Sequence, residues 1–381
     1  MSLPLTVTFM LADWIGKGLT DGTLERVGGV IRDVSTKQIV TWLREQGSNN
    51  STTNQLGELG RSLQLTQGIL QVSSTVSILN LGVSVIGFAV ILQRLKELEQ
   101  RLQQAQKLLN HINRKIDVSF YANFRAALDL AVNAFTMTKI ENRRSSALQA
   151  INRFLEAEHI YTEFADIEIE QQSQIADEYL LTLSLAYLAE ARCYLELEEH
   201  DTALRRFQEG SIVIHSRIQK YINLLLTSNP AVYLQPQFRG QIDLRRLTRI
   251  YQWLDPTLNE NVVFDMQRMN LFMLAKDPNK WIESISAAIW DSKVDWVGKA
   301  IWDDPKPQIY ARLPKTLEVM ESMIETNRRF ESYQTEVQAI SQLGISFHDW
   351  LKLTPSTEIK PDGAELMYII PSKPLELQPS I

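Results

Sequence analysis

Histidine, cysteine and closely spaced carboxylates are the side chains best able to carry metal, nucleophilic or acid–base chemistry, and their placement here argues against all three. The five histidines, His111, His159, His200, His215 and His348, are far apart in sequence. No two fall three or four residues apart on one helix face, so a zinc site is not expected. The single cysteine, Cys193, lies on an apolar helical face and reads as a core residue rather than a nucleophile. In "EFADIEIE", Glu163 shares a helix face with Asp166 or Glu170, and Glu168 lies between them. Two-carboxylate catalysis would need further partners, so a solvated acidic face is the expectation. Gly28-Gly29-Val30 has no following lysine, and "GVSVIG" (Gly82 to Gly87) sits inside an apolar run, so neither reads as a phosphate loop. The expectation is a protein that is not an enzyme and carries no cofactor and no metal.

Charge narrows the partners. A formal net charge of −6 argues against a broad grip on nucleic acid, which wants a basic face. The basic clusters "NRR" (142–144), "LRRF" (204–207) and "DLRRLTR" (243–249) read as helix surface, with anionic lipid head groups as a lesser alternative. With 44% hydrophobic and 22% charged residues, the 381-residue chain has the balance of a folded protein. The lone cysteine and the absence of a recognisable secretion signal set the expectation of a cytoplasmic location, with membrane association only under some condition.

That condition is raised by one segment. From Ser62 to Gln93 no side chain is ionisable, and about 20 apolar residues suffice to span a bilayer as a helix. The candidate membrane segment is Val76, Ile78, Leu79, Leu81, Val83, Val85, Ile86, Phe88, Val90, Ile91 and Leu92. Steps of three and four lead from Ser77 and Ser84 through Leu95, Leu98, Leu102, Leu109 and Ile112 to Ile116, which is coiled-coil spacing and predicts one long helix. A second seam, Ser73, Ser77, Asn80, Ser84 and Gly87, is small or polar and would let helices approach closely where water is absent. Three readings remain open: a segment offered to lipid only on rearrangement, a constitutive span, and a bundle helix that never meets lipid.

Around this segment the chain divides into six regions. Residues 1–45 hold strand-like "LTVTF" and a β-hairpin from Glu25 to Asp33 and Gln38 to Arg44. Gly28 and Gly29 mark a bulge, a close backbone approach or a weak edge. Residues 46–61 are a Gly/Ser/Asn-rich linker, and 62–116 carry the apolar segment and long helix. Residues 117–228 read as successive helices with short breaks at "TKIENRR" and "EQQ". Residues 229–355 begin with the loop "SNPAVYLQPQFRG", continue as helices near 241–254 and 258–276, and end on a long helix from Lys315 to Leu343. Between these lie Trp281, Trp290, Trp296 and Trp302, read as core wedges rather than an interfacial belt. The tail, 356–381, offers one strand, "AELMYIIP", free to pair with the N-terminal hairpin. The fold class is therefore mainly α, an elongated helical bundle with a coiled-coil-like helix and a small β element near the termini.

Two resemblances refine this. Ala191, Tyr194, Leu197, Ala203 and Phe207, with "EEHD" as turn, resemble a single tetratricopeptide repeat, which implies a helical hairpin; Glu198 and Gly210 replace its usual turn glycine and its alanine. The apolar segment followed by the long amphipathic helix (Ser73 to Lys115) is similar in layout to α-helical pore-forming toxins of the cytolysin A and haemolysin BL kind. That likeness implies conditional membrane insertion or permeabilisation, with membrane lipid and a second copy of the chain as partners. The alternative function is a helical scaffold or adaptor that binds another protein through its coiled-coil and helical-hairpin surfaces.

Overall fold

The computed structural model describes residues 5–11, 13–45, 69–74, 88–109, 119–277, 280–291, 304–352 and 366–369. They form a mainly α fold, as the heptad and helical periodicities require. The helices are α1 (Asp13–Asp21), α2 (Phe88–Leu109), α3 (Ser119–Thr136), α4 (Ile140–Glu170), α5 (Ala176–Glu196), α6 (His200–Leu226), α7 (Leu244–Leu254), α8 (Glu260–Lys276), α9 (Lys306–Leu343) and α10 (Phe347–Lys352).

Helices α3 to α6 follow one another as packed neighbours, and α2 lies against α3 and α5. Each breaks where the sequence stops supporting a helical stripe. On α4 the buried stripe is Ala147, Ile151, Phe154, Glu158, Tyr161, Ala165 and Glu168, three- and four-residue steps that hold one face inward over the whole helix. Edge-to-face contacts between Tyr121 and Tyr161 (5.4 Å) and between Phe124 and Phe154 (5.7 Å) tie it to α3. Helix α5 is buried on nearly every side, from Tyr179 to Leu195, and forms the centre of the bundle. Helices α5 and α6 are the helical hairpin expected from the repeat-like stretch. Glu198 stands at φ +61°, a conformation glycine adopts more cheaply. Its carboxylate accepts the Phe347 backbone N–H (2.9 Å), which ties the turn to α10. A β-carbon at Gly210 would sit 2.8 Å from the Tyr187 ring, so only glycine lets α6 approach α5 there.

Helix α9 begins nine residues before the expected start. Pro314, one residue before that expected start, lies inside it. Ile309 and Leu313 are fully buried in the additional turns, and that burial outweighs the hydrogen bond the proline removes. At 38 residues, α9 is about 57 Å long and runs along α6.

The β element differs in detail. Glu25 to Asp33 is not one extended segment but itself a hairpin, β2 (Leu24–Val27) and β3 (Val30–Asp33), turning at Gly28-Gly29. Gly28 has φ +55°, and a β-carbon there would lie 2.6 Å from the Arg328 carbonyl oxygen, so this is the close backbone approach. With β4 (Ile39–Glu45) and β6 (Leu366–Ile369) they form one antiparallel sheet in the order β2-β3-β4-β6. The C-terminal strand thus pairs with the N-terminal region, Trp42 opposite Ile369. A second pair joins β1 (Leu5–Met10) to β5 (Ile69–Ser74).

Candidate interaction surface

The expected membrane segment and its seams lie only partly within the described residues. Val76, Ile78, Leu79, Leu81, Val83, Val85 and Ile86 lie outside them, as do Ser77, Asn80, Ser84, Gly87, Ile112 and Ile116. Phe88 and Ile91 are buried, Leu92 packs against the same core, Phe88 stacks on Phe135 at 5.7 Å, and Val90 lies on α2 between them. Ser73 does not sit on a helical seam: it pairs with Thr6 in β5. The alternation of Leu70, Gln71, Val72 and Ser73 opposite "LTVTF" meets a strand's period of two, and pairing wins over helix continuation. Leu95, Leu98 and Leu102 are completely buried against α3 and α5 of the same chain, and Leu109 closes α2. Among the described residues no helix is long and apolar enough to cross a membrane.

The residues read for chemistry separate further. Cys193 is buried, and burial pushes its thiol well above the usual range. Glu163 and Glu170 are exposed as expected, Asp166 pairs with Arg217 (2.6 Å), but Glu168 is buried on the inner stripe of α4. Trp281 is a core wedge, Trp290 packs on the core edge, and Trp296 and Trp302 lie outside the described residues. His200 and His348, 148 positions apart, both approach Glu198, at 3.0 and 3.9 Å. No group of three or more His, Cys, Asp or Glu among the described residues is arranged to hold a metal. A cleft of about 180 Å³, lined by Asp177, Tyr221, Arg312 and Lys315, is small beside the roughly 300–1,000 Å³ of ordinary ligand pockets.

The sequence reading missed a carboxylate pair. Glu158 of α4 and Glu190 of α5 are buried together, with Arg206 of α6 bonded to both (Nε to Glu190 at 2.6 Å) and to Glu209. Burial, then the Glu190 carboxylate, push the Glu158 carboxyl up to about 10, and Glu190 is raised as well. A proton on Glu158 therefore supplies the donor that two facing acceptors lack, and Arg206 answers the remaining charge. The cluster joins three helices. Its signal in the sequence was a glutamate occupying a core step of the α4 heptad.

What stands open is α8. Asn259 caps it, its side chain accepting from the Asn261 and Val262 N–H groups, and Glu260 and Lys276 match the helix dipole at either end. One stripe, Val263, Gln267 and Leu274, faces inward, where Gln267 donates to the Tyr251 hydroxyl at 3.2 Å. The neighbouring stripe, Val262, Met266, Met269 and Met273, has the same spacing and lies in solvent, Met269 being 65% exposed, with Phe272 beside it at 64%. Isolated exposed apolar residues are ordinary, whereas a contiguous helical row of them marks a contact surface. Methionine suits such a surface because its flexible thioether adapts to the partner. No protein-family model, curated protein or solved structure matches the chain.

Proposed function

We propose that this protein is a non-enzymatic helical scaffold that docks an apolar amphipathic helix on the open face of α8. The observation that carries the reading is the solvent-exposed row Val262, Met266, Met269 and Met273, laid out at helix-pairing spacing on a helix already anchored along the adjoining row. Leu95, Leu98 and Leu102 of the α2 seam lie against α3 and α5, and α5 of the α5–α6 hairpin forms the bundle centre.

The test is a titration of the full chain with a labelled, designed amphipathic peptide carrying leucines at four-three-four spacing. Saturable binding in the range of about 1–100 µM is expected, abolished in the double variant Met266→Glu, Met269→Glu with its circular dichroism and melting temperature intact. Equal binding by that variant, or none by the parent, overturns the proposal. A parallel arm uses phosphatidylcholine/phosphatidylglycerol vesicles. Vesicle binding or dye release that disappears in the same variant would assign the face to lipid instead.

A further inference from the structure

We infer that the helix received by α8 is the α8 of a second copy of this chain, packed antiparallel across a two-fold axis; this rests on the helix-docking reading above. Two observations select a second copy, and a third favours the antiparallel sense. First, the four-three-four spacing of Val262, Met266, Met269 and Met273 reads the same in both directions. Reversed against itself, it sets Val262 of one copy on Met273 of the other and Met266 on Met269, so every exposed member finds an apolar partner. That self-complementarity is what a two-fold interface demands of a single surface.

Second, the charges beside the stripe are matched. Asp265 and Arg268 are exposed, and neither makes an ion pair among the described residues. In the antiparallel alignment Asp265 of one copy lies on the same flank as Arg268 of the other, within two residues of register. The two-fold axis forms this contact twice. Third, antiparallel packing sets the positive N-terminal end of each α8, at Asn259, beside the negative C-terminal end of the other.

Sedimentation of the full chain over a concentration series reads the association. The parent is expected to shift from monomer to dimer below about 100 µM, and the double variant Met266→Glu, Met269→Glu to weaken this a hundredfold or more by placing unpaired carboxylates between the helices, about a hundred being the minimum for a buried charge. Asp265→Arg alone and Arg268→Asp alone should each weaken dimerisation roughly three- to tenfold. Combined in one chain they should restore it, because the pair is re-formed with its signs exchanged. A chain that stays monomeric while binding the designed peptide overturns the second-copy inference and leaves helix docking standing. A dimer that survives the methionine substitutions, or charge variants that fail to rescue each other, also overturns it. A parent chain that neither binds the peptide nor dimerises overturns both readings.

Discussion

The seam of α2 and the outer stripe of α8 share one periodicity and meet opposite fates. Leu95, Leu98 and Leu102 vanish between α3 and α5, while Val262, Met266, Met269 and Met273 remain in solvent. Spacing alone therefore creates a demand for a helical partner; whether the same chain meets it depends on which helices the connections bring alongside. Residue type follows the outcome. Leucine, with few well-defined rotamers, suits a permanent core, and methionine suits a contact that forms and dissolves.

The contrast breaks most visibly by placing charge in the inner seam. Leu98→Lys with Leu102→Lys should cost more than about 5 kcal/mol, since two ammonium groups would be buried without partners. Cooperative thermal melting should disappear. If the melting temperature is unchanged, the seam of α2 is no more engaged than the stripe of α8, and the comparison fails.

A smaller effect is expected where burial and charge already coexist. Arg26 of β2 holds both oxygens of Glu325 on α9 at 2.8 and 2.9 Å, Arg329 adds a third contact at 3.2 Å, and the Ser332 hydroxyl accepts the Gly29 N–H at 3.0 Å. Burial by itself would raise the Glu325 carboxyl, but the Arg26 and Arg329 guanidiniums outweigh it and hold it at about 2, against an ordinary 4.5. A lowered folded-state value contributes stability above pH 4.5 that is lost as pH falls from there towards about 2. Glu325→Gln should cost about 3–5 kcal/mol at neutral pH by stranding two guanidiniums. Urea midpoints of parent and variant should converge in acid; parallel curves would show that this clamp does not hold the hairpin on α9.

The smallest effect belongs to Glu158, an acid accepted on an inner stripe because it carries its proton. Glu158→Gln keeps the shape and a donor, so below pH 4.5, where the parent carries its proton in both states, stability should change by less than about 1 kcal/mol. The sign of the pH dependence is opposite to that of Glu325. A raised folded-state value contributes fully below pH 4.5 and is lost as pH rises towards about 10. Alkaline unfolding should therefore be steeper in the parent than in the glutamine variant. Identical alkaline limbs would mean that Glu158 is ionised inside the bundle.

Much of the helical layout was legible because amphipathic helices announce themselves locally. The expected spans 241–254 and 258–276 correspond to Leu244–Leu254 and Glu260–Lys276. The seam at Leu95, Leu98 and Leu102 and the hairpin at Ala191 to Phe207 also follow from spacing within a few turns. What failed was non-local. The strand at Ile69–Ser74 was hidden inside an apolar run, because its identity depends on β1, more than sixty positions earlier, supplying the other half of the ladder. The start of α9 was missed because the packing of Ile309 and Leu313 outweighs a proline's local cost.

The sequence by itself determined a mainly helical chain, the period of its seams and the strand-forming character of both termini, since each rests on side-chain spacing within about ten residues. Only the tertiary structure decided which stripe of α8 faces inward. Its two adjoining rows, Val263 to Leu274 and Val262 to Met273, have the same spacing, and the contact between Gln267 and Tyr251 of α7 selects one. It likewise decided that Glu158, Glu190 and Arg206, drawn from three helices, meet in one buried cluster. Such partnerships are absent from any single helix because burial and Coulomb attraction act across space, and only the packed chain sets those distances.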